Sequence, residues 1–139
     1  MEGKAGKMRI LIVEDDFISR KLLQKTLSAY GDCDIAVDGK EAIEAFRLAI
    51  GDKRTYDLIC LDIMMPHIDG ISALKEIRKM EKDAGVAPTA EVKVIMTTAL
   101  NDPKTVVDSL YRAGATSYIV KPINTKELVA EIKKLGLLD

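Results

Sequence analysis

Ile10-Leu11-Ile12-Val13-Glu14-Asp15-Asp16 sets four branched aliphatic residues directly against three carboxylates. An aliphatic run of strand length without polar alternation suits a strand covered on both faces, as in a parallel sheet. The abrupt acidic end puts charge just beyond the strand's carboxyl terminus, where open parallel sheets bind their ligands. The pattern recurs along the chain. Leu58 to Leu61 stops at Asp62, Val92 to Met96 at Thr97 and Thr98, and Tyr118 to Val120 at Lys121. A weaker strand, Cys33 to Val37, is expected after the turn signal Gly31-Asp32.

Between these runs the apolar residues take helical spacing: Ile18, Leu22, Leu23 and Leu27, then Ala42, Ile43, Phe46 and Ile50, then Ile71, Leu74, Ile77 and Met80. Val106, Val107 and Leu110 follow Pro103, which suits a first helical turn, and Leu128, Val129, Ile132 and Leu135 follow the capping pair Asn124-Thr125. Strand and helix thus alternate five times. That order predicts a doubly wound α/β domain, a parallel sheet with right-handed crossovers and helices on both faces. Lys82 to Glu91, with Gly85 and Pro88, reads as an extended surface connection before the fourth strand. No internal repeat or low-complexity tract interrupts the alternation, so residues 8–139 are expected to form one domain. Met1 to Lys7, alternating charge with Gly and Ala, reads as a flexible tail without the apolar segment of a secretory signal.

The bulk numbers narrow the function classes. At 139 residues the chain has the length of one domain, with no room for a second catalytic or DNA-binding one. Lys plus Arg number 21 against 22 Asp plus Glu, so no direct nucleic-acid or anionic-membrane partner is expected from charge. Apolar residues make up 47%, but no stretch approaches the roughly 18 needed to cross a bilayer. A soluble protein with cytoplasmic residence is the expectation. Cys33 and Cys60 match no metal or redox spacing and read as reduced packing residues.

Taken together, the strand-end residues form a chemical set. Glu14, Asp15 and Asp62 supply carboxylates, the Thr97-Thr98 pair a hydroxyl, and Lys121 an ammonium, all at one sheet edge. Carboxylates without His or Cys favour a hard cation, and Mg2+ commonly binds through one or two carboxylates plus water and phosphate oxygens. A phosphate-carrying ligand is implied. Three gathered carboxylates also repel one another, so the set is costly without a counter-ion.

These residues resemble a known family. Ile10 to Asp16, Leu61-Asp62-Ile63-Met64-Met65-Pro66 with Asp69-Gly70, Met96-Thr97-Thr98-Ala99 and Tyr118-Ile119-Val120-Lys121-Pro122 look like the CheY-like receiver domains of response regulators, over about residues 8 to 136. The resemblance implies a flavodoxin-like (βα)5 fold with strand order 2-1-3-4-5. It implies that Asp62 is the phosphoacceptor, that Asp15, Asp62 and the Met64 carbonyl hold Mg2+, and that Glu14 acts directly or through water. Thr98 and Lys121 match the phosphate-binding side chains, and Thr98 with Tyr118 the switch pair. The Lys121-Pro122 peptide is implied to be cis. The implied function is a phosphorylation-controlled interaction module of two-component signalling. It is no enzyme acting on an external substrate, since it catalyses only its own phosphorylation and dephosphorylation. Its donor would be a sensor histidine kinase or a histidine phosphotransfer protein, its target an unidentified protein, and its oligomeric state is left open.

Other readings carry less. An aspartyl-phosphate-forming phosphohydrolase would want a second acid two residues after the nucleophile, where Met64 stands. A flavin or nucleotide domain would want a glycine-rich turn after the first strand, where Glu14-Asp15-Asp16 stand. A phosphorylation-independent docking module is disfavoured because every matched site residue is present. Asp16 is assigned to helix N-terminal charge, Thr97 to packing on the opposite side of its strand, His67 to an exposed turn, and Met80 and Met96 to the core. Bulky apolar Met64 and Leu100 would flank the phosphoryl group, and slow hydrolysis is expected because neither can orient a water.

Overall fold

The aliphatic runs become five parallel strands, and the computed structural model describes residues 8–65, 67–99 and 103–138. The strands are β1 (Met8–Val13), β2 (Gly31–Ala36), β3 (Leu58–Asp62), β4 (Lys93–Thr98) and β5 (Ser117–Val120). Five helices alternate with them: α1 (Phe17–Leu27), α2 (Gly39–Gly51), α3 (Gly70–Asp83), α4 (Pro103–Ala113) and α5 (Thr125–Lys134). The sheet order is 2-1-3-4-5, the flavodoxin-like order expected above. The tail at residues 1–7 and Leu100 lie outside the described residues.

Alternate side chains of each strand feed two cores. Leu11, Val13, Ile59, Leu61, Val94 and Met96 pack with Phe46, Leu74, Ile77 and Leu110 of α2, α3 and α4. Ile10, Ile12, Leu58, Cys60, Ile95 and Ile119 pack with Leu23 and Leu27 of α1 and Leu128 and Ile132 of α5. Each fully buried Ile, Leu or Phe contributes about 2 kcal/mol, so the central strands anchor the sheet against the charge gathered at its edge.

Several boundaries differ from the sequence reading, β1 opening at Met8 and not Ile10, and β4 running from Lys93 to Thr98 and not from Val92 to Met96. β2 starts at Gly31, not Cys33, because Gly31 pairs with Met8 so closely that a Cβ would collide with the Met8 carbonyl. The glycine that reads as a turn signal is a strand residue chosen for close approach. The connection before β4 is shorter than Lys82 to Glu91, since α3 continues to Asp83 and Pro88–Ala90 form one 3-10 turn.

Helix starts are set by short polar side chains. Asp16, Asp38, Asp69 and Asn124 each accept the backbone N–H three residues ahead, at 2.8 to 3.0 Å. Each such cap is worth about 1 kcal/mol and fixes where the preceding loop turns into its helix. Three of these loops leave the carboxyl ends of β1, β3 and β5, so capping also orders the edge that carries the chemistry.

Candidate functional site

Four strand ends supply the site. Glu14 and Asp15 follow β1, Asp62 ends β3, Thr98 ends β4 and Lys121 follows β5. Carboxylate oxygens of Glu14, Asp15 and Asp62 lie within 4.8 Å of one another. Glu14 and Asp62 are buried, whereas Asp15 is exposed. Lys121 Nζ stands 2.8 Å from Glu14 Oε1 and 3.4 Å from Asp62 Oδ1. Its peptide bond to Pro122 is cis.

Backbone contacts hold this edge in place. The Lys121 N–H donates to the Thr98 carbonyl at 2.6 Å, and the Ile63 N–H to the Thr97 carbonyl at 3.0 Å. The Met64 N–H donates to Asp62 Oδ1 at 3.3 Å. Arg20, on the first turn of α1, donates from Nη1 to the carbonyls of Glu14 (3.2 Å) and Asp15 (3.4 Å). Gly70 lies so near the Asp62 carbonyl that no Cβ fits between them, and its N–H donates to the Ile63 carbonyl at 2.9 Å.

The electrostatics follow from burial. Loss of water raises the Asp62 carboxyl well above the carboxylate range, the Glu14 charge raises it further, and the Lys121 ammonium and Met64 N–H pull the other way. Burial also works against the Lys121 charge, but the Glu14 and Asp62 carboxylates outweigh it and hold the ammonium above its usual value. Glu14 Oε2 accepts the Asp16 N–H at 3.1 Å. Glu14 Oε1 is buried facing the Lys121 ammonium and has no further hydrogen-bond partner among the described residues. Three carboxyl groups against one ammonium leave the cluster acidic, which suits a divalent cation. An all-oxygen donor set with an unused buried lone pair fits a hard cation such as Mg2+.

The described residues singled out in the sequence each have a definite place. Asp16 caps α1 through the Ser19 N–H, and that hydrogen bond lowers its carboxyl below the usual range. Thr97 and Thr98 are buried as the last two residues of β4, which ends two positions later than the apolar run closing at Met96 implies. Tyr118 is half-buried against the core shared by α2, α3 and α4. His67 is an exposed loop residue at φ 69°, with Nδ1 3.5 Å from Asp38 Oδ2. Met64 has its side chain turned to solvent. Cys33 and Cys60 are free thiols, and burial pushes the Cys60 thiol up to about 12, out of reach of ordinary thiolate chemistry. Sequence reasoning missed Arg20 and the role of Gly70. A cation one turn after the acidic pair and a glycine at the start of a helix were the available signals, and both have commoner explanations.

A family model of the response regulator receiver domain matches residues 10–133. Among curated proteins, the probable transcriptional regulator ycf27 of Cyanophora paradoxa is 36% identical over 131 residues, which is 94% of this chain and 48% of that protein. The chain therefore spans about half the length of the curated relatives it matches. Among solved structures, CheY in the CheX-CheY-BeF3-Mg complex from Borrelia burgdorferi superposes with a TM-score of 0.79 at 27% identity, covering 94% of this chain and 90% of that one. The receiver domain of the histidine kinase CKI1 from Arabidopsis thaliana, as its D1050E mutant, gives 0.78 at 26% identity, covering 91% and 89%.

Proposed function

This chain belongs to the response regulator receiver domain family, the phosphoacceptor modules of two-component signalling, and on that footing we propose that Asp62 takes the phosphoryl group. One observation carries the assignment. Asp62 is a buried carboxylate at the end of a central strand, ringed by Glu14, Asp15 and the Lys121 ammonium.

The transfer is a simple displacement. An Asp62 carboxylate oxygen attacks phosphorus, a new P–O bond forms, and the bond from phosphorus to the donor breaks opposite the attack. With a phosphohistidine donor the imidazole leaves with the bonding electron pair. Lys121, already placed by Glu14 and Asp62, neutralises charge on the phosphoryl oxygens, and the Thr98 hydroxyl donates to one of them. Asp15, Asp62 and the Met64 carbonyl, with Glu14 direct or through water, would hold a Mg2+ ion, which would supply positive charge to offset that of the phosphoryl group. Nothing in this set needs an external substrate to be turned over, which is why the chain reads as a self-modifying switch and not as a metabolic enzyme.

The donor on this reading is a sensor histidine kinase or a histidine phosphotransfer protein, and the switch pair is Thr98 and Tyr118. The kinase-borne receiver and the CheX-bound CheY among the structural neighbours support a protein partner on each side of the signal. A near-neutral charge supports a protein target over direct nucleic-acid contact by this segment. No helix is long and apolar enough to cross a membrane among the described residues, which is compatible with a cytoplasmic role. Intact-mass measurement after incubation with Mg2+ and acetyl phosphate tests the assignment. The parent should gain one phosphoryl group and Asp62→Asn none. A variant that gains phosphate as fully as the parent removes Asp62 from this role.

A further inference from the structure

The first turn of α2 meets the segment leading into α3 at Gly39, whose bare backbone abuts Ile68. A Cβ on Gly39 would fall less than 3.0 Å from the Ile68 carbonyl oxygen, a separation real Cβ atoms do not adopt, and at 3.0 Å from Ile68 Cβ. Two residues further on, Gly70 presses in the same manner on the Asp62 carbonyl and comes within 2.9 Å of Ile63 Cα for the position its own Cβ would take. Ile68-Asp69-Gly70 is thus held between two glycine contacts, with α2 on one side and the acceptor's backbone on the other. Asp38 strengthens the first contact. Its Oδ1 caps α2 through the Glu41 N–H at 2.8 Å, while Oδ2 lies 3.5 Å from His67 Nδ1 on the same segment.

We propose that Gly39 is a positioning residue for phosphoryl transfer. By letting the α2 backbone abut Ile68, it sets where Gly70 bears on Asp62, and so where the Asp62 carboxylate stands beside Glu14 and Asp15. This rests on the reading of Asp62 as the acceptor. When a methyl group is forced into the contact, the loop is the side that yields. α2 is pinned by fully buried Ala42 and Phe46, whereas Ile68 is only half-buried. Ala is also the better helix former, so any loss on substitution comes from the contact and not from helix propensity.

The test compares the parent with Gly39→Ala and Gly51→Ala, the second at the other end of α2 where an added Cβ meets nothing within 4 Å. Three readouts are taken: the Mg2+ midpoint from amide shifts of Asp62, the initial rate of phosphate gain from acetyl phosphate, and the urea midpoint. Gly39→Ala should weaken Mg2+ about tenfold, as loss of an outer support of a metal site does. It should slow phosphorylation by up to about a hundredfold, the cost of a displacement of about 1 Å at a reacting group. Gly51→Ala should match the parent in both. A folded Gly39→Ala protein with the parent's Mg2+ midpoint and rate overturns the proposal, whatever its urea midpoint. A parent that takes no phosphate on Asp62 overturns the acceptor reading instead. Should Gly39→Ala fail to fold, the parent decides: Gly39 and Lys40 amides must shift with the Asp62 Mg2+ midpoint, and stationary resonances there overturn the proposal.

Discussion

At Asp62 the requirements of folding and of chemistry oppose each other. The carboxyl sits 3% exposed beside a second buried acid, and burial together with Glu14 raises it to about 7 in the metal-free protein. A carboxyl raised in the folded state favours folding while protonated. Its contribution is complete below the ordinary value of 3.8 and is lost as pH rises through about 7. Urea unfolding without Mg2+ should therefore show the parent losing about 2 kcal/mol between about pH 4.5 and about pH 7.5, relative to Asp62→Asn. Added Mg2+ should close that gap at the upper end, whereas parallel pH profiles for the two proteins would remove the premise of a strained acid. Met64 raises a question of timing at the same scale. Its side chain is 61% exposed and can offer no hydrogen bond to an attacking water. Met64→Asn supplies one, and dephosphorylation should quicken about tenfold, the rate equivalent of about 1.4 kcal/mol. Unchanged decay at fixed Mg2+ would mean that Met64 does not govern water access.

Individual elements differ in how plainly their residues announce them. β1, β3 and β4 were legible because buried parallel strands are mostly aliphatic, and α1, α2, α3 and α5 because their apolar residues recur at helical spacing, α5 being announced also by its Asn124 cap. β2 was misjudged by two residues, since an edge strand carrying Asp32 and Asp34 loses the aliphatic signature and opens on a glycine that serves packing. The end of α3 was hidden by a charge that belongs inside. Glu81 is buried, accepts the Val92 N–H at 2.7 Å and pairs with Arg78 at 2.7 Å. Arg78 in turn donates from Nε and Nη2 to the Gly114 carbonyl at 3.0 and 2.8 Å. This network joins α3 to the start of β4 and to the turn after α4, and no periodicity rule finds it because Glu81 looks like any helix-surface acid. Glu81→Ala leaves the Val92 N–H without its acceptor and Arg78 without its counter-charge. It should cost about 3 kcal/mol in urea unfolding at an unchanged denaturant slope. A loss under about 1 kcal/mol would show that water or backbone shifts replace the network.

Across the whole molecule, two aliphatic cores grip one sheet, and everything reactive stands at the edge where the sheet's strands end. The residue types of the site were legible in the sequence because each closes an apolar run. Their supports were not, because Arg20 on backbone carbonyls, Gly70 on Asp62 and Gly39 on Ile68 depend on register and helix placement. The same architecture says where a signal can go. Thr98 ends β4, and its neighbour strand carries Tyr118, paired with Met96, so on the proposed reading an event at Asp62 would reach the β5 face through adjacent strands. Beryllium fluoride with Mg2+ should shift amides of Tyr118 and of α4 and α5 in nuclear magnetic resonance spectra, a population shift of a few kcal/mol. Changes confined to the loops around Asp62 would contradict a switch at that face. The most direct test of the account is to find the bond itself. Protein phosphorylated with acetyl phosphate in Mg2+ is reduced with borohydride, which converts an aspartyl phosphate to homoserine, and its peptides are mapped by mass. The account predicts homoserine at position 62 and at no other aspartate, with none formed when Mg2+ is chelated. Homoserine elsewhere, or none in the presence of Mg2+, would contradict it.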